Sequence, residues 1–252
     1  MSAATRGSWT WPVERAFLWA LAAPFAARTR VPPLIPGTPP VLMDGVGLTF
    51  DDGPDHHTPY FLEVLESYGI KATFFVVGEQ VERSPEVLRR IVTAGHEVGV
   101  HCYRHLPYPR RHDTDAMDDL VRAYSIVEEA GGGRPQIFRP PYGLFSRAVS
   151  REARRLDLEK VLWSRAGLDW GSRATPESVA RNISEPEPGE IMLLHDSEAY
   201  GAPGSHRCTL QALPTIIETI RREALGFYTV SELLDHGRGD RSVFGMNDVP
   251  GQ

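Results

Sequence analysis

The chain has 252 residues, 41% of them hydrophobic and 24% charged, enough for one compact domain that buries a continuous core and still walls a cleft. With 27 Lys and Arg against 33 Asp and Glu, the net charge of -6 lacks the basic excess that phosphate neutralisation demands, so nucleic acid is excluded as a partner. Cys102 and Cys208 are the only cysteines, too few for a disulfide scaffold and without the spacing of a structural zinc site.

From the N-terminus, Ala16 to Ala27 is an apolar run of signal-peptide length behind Arg15, interrupted by Pro24 and too short to span a bilayer. The preferred reading is an N-terminal helix packed on the domain in a cytoplasmic, monomeric protein. Export, or contact with a membrane surface through residues 1–27, stays open. Val31 to Pro40 is a Pro-rich string that cannot continue a helix, so residues 1–40 divide into an N-terminal segment and a linker. The domain is expected over 41–240, with a C-terminal tail at 241–252.

Within the domain, short apolar runs predict strands at Gly47–Phe50, Ala72–Val77, Glu97–Val100, Gln136–Phe138, Lys160–Trp163, Glu190–Leu194 and Phe227–Val230. Helices lie between them. Thr58-Pro59, Ser84-Pro85 and Thr175-Pro176 each put a capping hydroxyl before a first-turn proline, and Asp113–Ala130 and Thr209–Ala224 carry helical periodicity. Strands alternating with helices imply an α/β fold with a parallel sheet, and seven of them favour closure into a barrel. In that architecture the site lies at the C-terminal ends of the strands.

Those ends are where the chemistry-bearing residues fall: Asp51-Asp52 after LTF, His101 after HEVGV, Arg139 after QIF, Asp169 after VLW and His195 after IMLL. If they converge, one mouth collects more ionisable groups than a structural rim needs. His101 and His105, four apart, share one side of a turn and with a carboxylate make a facial site for zinc, cobalt or another divalent ion, leaving positions for water and a carbonyl. The plainer reading of the pair is two exposed histidines beside a strand. Adjacent carboxylates repel unless a cation or a catalytic proton separates their duties, so Asp52 is expected to bind the ion and Asp51 to take a proton from water. The competing reading is an acidic Asp-Gly turn.

Thr49-Phe50-Asp51-Asp52-Gly53, His101-Cys102-Tyr103-Arg104-His105, Arg139-Pro140-Pro141-Tyr142-Gly143, Leu168-Asp169-Trp170 and Leu193-Leu194-His195 form an ordered set. In this order they resemble the five motifs of the polysaccharide deacetylases with a NodB homology domain, carbohydrate esterase family 4, over Val46 to Leu234. The resemblance implies a distorted (β/α) barrel and metal-dependent removal of N-acetyl groups from an amino-sugar-containing substrate. It implies that Asp52, His101 and His105 bind the metal, that Asp51 is the general base and that Arg139 orients it. The same resemblance gives the oxyanion to the ion and the Tyr142 backbone N–H, makes His195 the acid held by Asp169, and walls the acetyl pocket with Trp170 and Leu193 beside Pro141 and Tyr142.

Two positions depart from the family pattern. Cys102 stands where Ser or Thr is usual, so the ligand loop is expected to be held differently, and Ala166 replaces an Asp of the fourth motif while Asp169 is retained. His96 reads as structural, and Asp55, His56 and His57 as solvated loop residues. His112, His206 and His236 carry no spacing signal. The small residues of Tyr200 to Gly204 suggest a mobile flap. Alternatives are an O-acetyl esterase, which uses the same water and base, and a carbohydrate-binding pseudoenzyme.

Overall fold

A computed structural model describes residues 44–239. The N-terminal segment, the linker and the tail read from the sequence lie outside the described residues. The strands are β1 (Gly45–Asp51), β2 (Thr73–Val77), β3 (Glu97–Cys102), β4 (Ile137–Phe138), β5 (Glu159–Lys160), β6 (Arg165–Ala166), β7 (Ile191–His195) and β8 (Gly226–Tyr228). The helices are α1 (Thr58–Ser67), α2 (Gly78–Arg83), α3 (Pro85–Thr93), α4 (Asp113–Val127), α5 (Arg147–Arg155), α6 (Pro176–Asn182), α7 (Ser205–Arg222) and α8 (Val230–Gly239). No helix among the described residues is long and apolar enough to cross a membrane.

Every ladder is parallel, in the order β5-β4-β3-β2-β1-β7-β6, with β8 pairing β1 at Gly45–Gly47. Parallel strands covered on both faces read as unbroken apolar runs, and β1, β2 and β7 are buried at every position. Alternation then sorts their side chains. Leu48, Phe50, Phe74, Val76, Met192 and Leu194 face outward onto the apolar sides of α1, α3 and α7, through Phe61, Leu65, Leu88, Ile91, Leu213 and Ile217. Phe75 and Ile191 face the interior, where Val230, Leu233 and Leu234 of α8 plug the barrel. The plug enters from the N-terminal ends of the strands, since the Val230 N–H donates to Thr73 Oγ1 at 2.9 Å and the Ser231 N–H to Glu97 Oε2 at 3.2 Å.

The barrel closes in an irregular way. No ladder joins β5 to β6 among the described residues. Instead one stretch of chain changes sides: the Val161 N–H extends the β5 pairing by donating to the Phe138 carbonyl at 2.8 Å, and three residues later the Ser164 N–H donates to the Ile191 carbonyl at 2.9 Å. This explains the one strand the apolar runs do not show. β6 contributes only Arg165 and Ala166, too short for a hydrophobic pattern, and the expected strand at Lys160–Trp163 is the crossing itself.

Local chemistry sets the helix starts. Thr175 Oγ1 accepts from the Ser178 N–H at 3.2 Å and the Thr175 N–H donates to Ser178 Oγ at 2.9 Å, a capping box that begins α6. Thr58 behaves differently from expectation: α1 begins at Thr58 after His57, and the threonine hydroxyl accepts from the Asp55 N–H at 3.0 Å and donates to the Asp196 carboxylate instead of capping. His96 is structural, its buried Nδ1 accepting the Ala72 N–H at 3.1 Å.

Candidate active site

The C-terminal ends of β1, β3, β4 and β7 bring Asp51, Asp52, His101, His105, Arg139 and His195 together, each no more than 5% exposed. Asp52 is at the centre. Its Oδ1 lies 3.2 Å from His105 Nε2 and 3.6 Å from His101 Nε2, and its Oδ2 lies 3.9 Å from His195 Nε2. The turn that places it is strained, with Asp52 at φ 81, a left-handed conformation rare for a residue with a Cβ and maintained only where the surroundings fix it. Gly53 follows because the chain runs against Asp196: a Cβ there would come within 2.4 Å of Asp196 Oδ2.

Three observations fit a cation between these residues. His101 Nδ1 is 2.7 Å from the Arg139 carbonyl, so it carries the ring proton and leaves Nε2 as a bare acceptor facing a carboxylate oxygen. Asp52 Oδ1 is buried with no hydrogen-bond partner among the described residues, and two acceptors facing each other without a proton are costly in a dry site. The ligand atoms of Asp52, His101 and His105 all lie within 4.8 Å of one another, and two imidazoles with one carboxylate oxygen are a donor set that suits zinc-like ions. Burial presses the His101 imidazole down to about 4 despite the aspartates around it, which keeps its lone pair available. Burial alone would raise the Asp52 carboxyl, but the imidazoles of His105, His195 and His101 outweigh it and hold the group well below the usual carboxylate range.

Arg139 is fully buried and built into the barrel interior. Its Nη1 donates to Asp51 Oδ1 at 2.7 Å and to Thr49 Oγ1 at 2.8 Å, its Nη2 donates to the Leu162 carbonyl at 3.0 Å, and its guanidinium lies 4.0 Å from the Phe75 ring centre. A charge-assisted bond of that length fixes one Asp51 oxygen and leaves the other turned toward His101, at 4.0 Å from Nδ1.

His195 is held from behind. Its Nδ1 is 2.8 Å from Asp169 Oδ1, its backbone N–H donates to Asp169 Oδ2 at 2.8 Å, and Thr209 Oγ1 donates to the same oxygen at 2.6 Å. Burial opposes charging this imidazole, yet the Asp169 carboxylate prevails and pushes it up to about 9. Trp170 stands edge-on to the His195 ring at 5.4 Å, and Leu193, buried two residues before His195 on the same strand, faces the interior beneath it. Pro141 and Tyr142 occupy the turn after β4, where Tyr142 adopts φ 59 and packs its ring against His105 at 4.7 Å.

The departures noted in the sequence have structural answers. Cys102 is buried in an apolar cluster with Val77 and Val100, burial pushes its thiol well up, and its sulfur is not among the ligand atoms gathered from Asp52, His101 and His105. The ligand loop is gathered instead by the buried Asp119 of α4, which accepts from the Tyr103 and Arg104 N–H groups at 2.8 and 3.1 Å, from Tyr108 Oη at 3.1 Å and from Arg111 Nη1 at 2.7 Å. Ala166 is buried opposite Leu193, and the loss of a carboxylate there leaves the Asp169 to His195 pair intact. The segment from Tyr200 to Gly204 is anchored, correcting the flap reading: the Gly201 N–H donates to the Glu198 carbonyl at 3.2 Å, the Ala202 N–H to the Trp170 carbonyl at 2.9 Å, and the Gly204 N–H to the Glu198 carboxylate.

Other residues around the mouth either escaped the sequence reading or are held more firmly than it expected. Asp196, directly after His195, is buried against Thr58, and burial raises its carboxyl to about 8. His206 is buried, pairs through Nδ1 with Glu198 Oε2 at 3.0 Å and stacks on His57 at 3.5 Å, so neither ring is a free loop group. Adjacency to His195 was a usable signal for Asp196. Nothing in the sequence links Asp119 or Thr209 to the site.

A profile described as polysaccharide deacetylase matches residues 41–161. The peptidoglycan-N-acetylglucosamine deacetylase of Bacillus cereus is 34% identical over 193 residues, 75% of this chain and 87% of that protein. The chain belongs to the polysaccharide deacetylase family. Among solved structures, a family 4 carbohydrate esterase from Streptomyces lividans in complex with acetate superposes with a TM-score of 0.66 at 31% identity, covering 73% of this chain and 91% of that one. A family pseudoenzyme from Bacillus anthracis gives a TM-score of 0.70 at 27% identity, covering 78% and 67%. Like its relatives, this deacetylase has a curled parallel half-barrel with helices outside, and divalent-metal-dependent hydrolysis is the chemistry of its family.

Proposed function

We propose that this deacetylase removes N-acetyl groups from an amino-sugar-containing glycan or glycoside, with Asp52, His101 and His105 holding a divalent cation, zinc by preference. The observation that carries the reading is Asp52, whose Oδ1 lies between two imidazole nitrogens with no hydrogen-bond partner among the described residues and whose Oδ2 faces the His195 ring held by Asp169. When bound, the cation supplies Lewis acidity, lowering the pKa of water and polarising the amide carbonyl.

The chain's own residues do the rest. Asp51, one oxygen fixed by Arg139, accepts a proton from the attacking water through the other. Water oxygen adds to the acetyl carbon, and the Tyr142 N–H receives the oxyanion, a device whose removal costs about 3–4 kcal/mol of barrier in comparable sites. His195, protonated by virtue of Asp169, gives its proton to the amide nitrogen as the C–N bond breaks, so acetate and a free amine leave. Trp170, Leu193, Pro141 and Tyr142 wall the small pocket for the acetyl methyl. The ion, the base and the acid each have a residue in position, which favours this reading over a carbohydrate-binding pseudoenzyme; O-acetyl ester cleavage would use the same groups with an easier leaving group.

The test is acetate release from N-acetylglucosamine oligomers, peptidoglycan fragments and small N-acetylated glycosides, before and after chelation. Acetate from at least one of them, abolished by chelator and restored by zinc or cobalt, is the expected result. A protein that releases no acetate from any of them with metal supplied would overturn the proposal.

A further inference from the structure

Of the two histidines proposed to hold the ion with Asp52, His105 is the one without a hydrogen bond behind it among the described residues. His101 is tied through Nδ1 to the Arg139 carbonyl, whereas His105 Nδ1 is buried with no hydrogen-bond partner among those residues. An imidazole that binds an ion normally has its remote nitrogen fixed by a carbonyl or carboxylate, and this contact sets the ring plane. For His105 the ring plane is set through the faces. Tyr200 stacks on it at 4.5 Å with 19° between planes, and Tyr142 meets it edge-on at 4.7 Å.

Tyr200 comes from the turn after β7, on the His195 side of the mouth, and is itself aimed. Its phenol O–H donates to Glu79 Oε1 at 2.8 Å, and the Glu79 N–H donates to the Tyr103 carbonyl at 3.2 Å, inside the loop that carries both histidines. The contacts run in a ring from His105 through Tyr200 and Glu79 back to the His105 loop. A phenol bonded to a carboxylate has an electron-rich face. An imidazole that shares the charge of a divalent ion is drawn to that face more strongly than a free one.

We propose that Tyr200 is a positioning residue for the ion: its ring, aimed by Glu79, holds the His105 imidazole with Nε2 toward Asp52 and stands in for the hydrogen bond that His105 Nδ1 lacks. The inference rests on the assignment of Asp52, His101 and His105 as the ion site.

The experiment measures zinc affinity of the purified, metal-stripped full-length protein by competition with a chromogenic chelator, together with the visible absorption of the cobalt form, neither of which requires turnover. Tyr200→Leu should weaken zinc binding roughly 10- to 100-fold, the range typical of lost outer contacts to metal ligands, and alter the cobalt spectrum. Tyr200→Phe, which keeps the ring and loses the tether to Glu79, should fall between wild type and Tyr200→Leu. Tyr200→Met fills most of the same volume and serves the comparison if the leucine variant does not fold. Wild-type affinity and an unchanged cobalt spectrum in a folded Leu or Met variant overturn the clamp. A wild-type protein that binds no zinc or cobalt overturns the ion site itself, so the two failures are distinguishable.

Discussion

Replacing Asp169 by Asn isolates the proposed acid, His195, from the rest of the site. In the wild type, Asp169 spends one oxygen on His195 Nδ1 and the other on the His195 N–H and Thr209 Oγ1, and the imidazole is raised from 6.5 to about 9 against the pull of burial. That displacement corresponds to roughly 3 kcal/mol of preference for the charged ring. An amide keeps the shape and the Thr209 contact but removes the largest of the charges that raise the imidazole, with Asp52 and Asp51 left as the smaller ones, so the His195 value falls toward its ordinary 6.5. At pH 8 a full return to 6.5 would take the charged fraction from about 90% to about 3%, so up to roughly 30-fold is lost in kcat from protonation alone. Because the acid form is present below its pKa, the alkaline limb of the profile should move from near pH 9 toward pH 6.5, and the deficit should shrink as pH is reduced toward 6. Initial rates of acetate release from pH 5 to 10, with zinc held in excess, read this directly. A variant whose alkaline limb stays near pH 9 would show that His195 is not the proton donor set by Asp169.

Three further outcomes follow from the same geometry. Asp51→Asn should retain zinc in equilibrium dialysis while turnover falls at least 100-fold, in keeping with the size of general-base catalysis, because the ion's ligands are untouched. His105→Ala should lose both zinc and activity, and chelator-treated wild type should match it in acetate release. Burial lowers His96 to about 4, so protonation favours the unfolded chain: its contribution is complete above pH 6.5 and is lost as pH falls toward 4, costing about 2–3 kcal/mol. Denaturant titrations across that range should show wild type losing its stability advantage over His96→Gln on acidification, and a constant difference would remove His96 from that role.

Much of the site was legible because its residues sit at strand ends, and strands announce themselves. The runs ahead of Asp51, His101 and His195 are largely buried and, apart from Thr49 and Glu97, apolar, so a polar residue directly after each stands out. Elements with mixed patterns were harder. α5 is Arg-rich between Arg147 and Arg155, with only Ala148, Val149 and Ala153 buried, and α2 is a single short turn of helix opening on Gly78. Supporting residues were out of reach for a different reason. Asp119, Thr209 and Tyr200 act across long chain separations through hydrogen bonds or ring contacts, and neither kind leaves a periodic trace in the sequence. The Thr58 hydroxyl shows the limit of a local rule: a sound capping signal was diverted by a buried carboxylate more than a hundred residues away.

The crossing from β5 to β6 has a consequence for how this scaffold tolerates change. In a fully laddered barrel an added residue shifts register and turns a whole strand's side chains to the wrong face. Between Val161 and Ser164 no ladder sets such a register among the described residues, and the stretch is tied instead through the Leu162 carbonyl, which accepts from Arg139 at 3.0 Å. The bank on one side carries Arg139 and the bank on the other carries Asp169 and His195. Lengthening or shortening this hinge of four residues therefore respaces the two halves of the proposed proton-transfer apparatus while the strand pairs on either side stay in place.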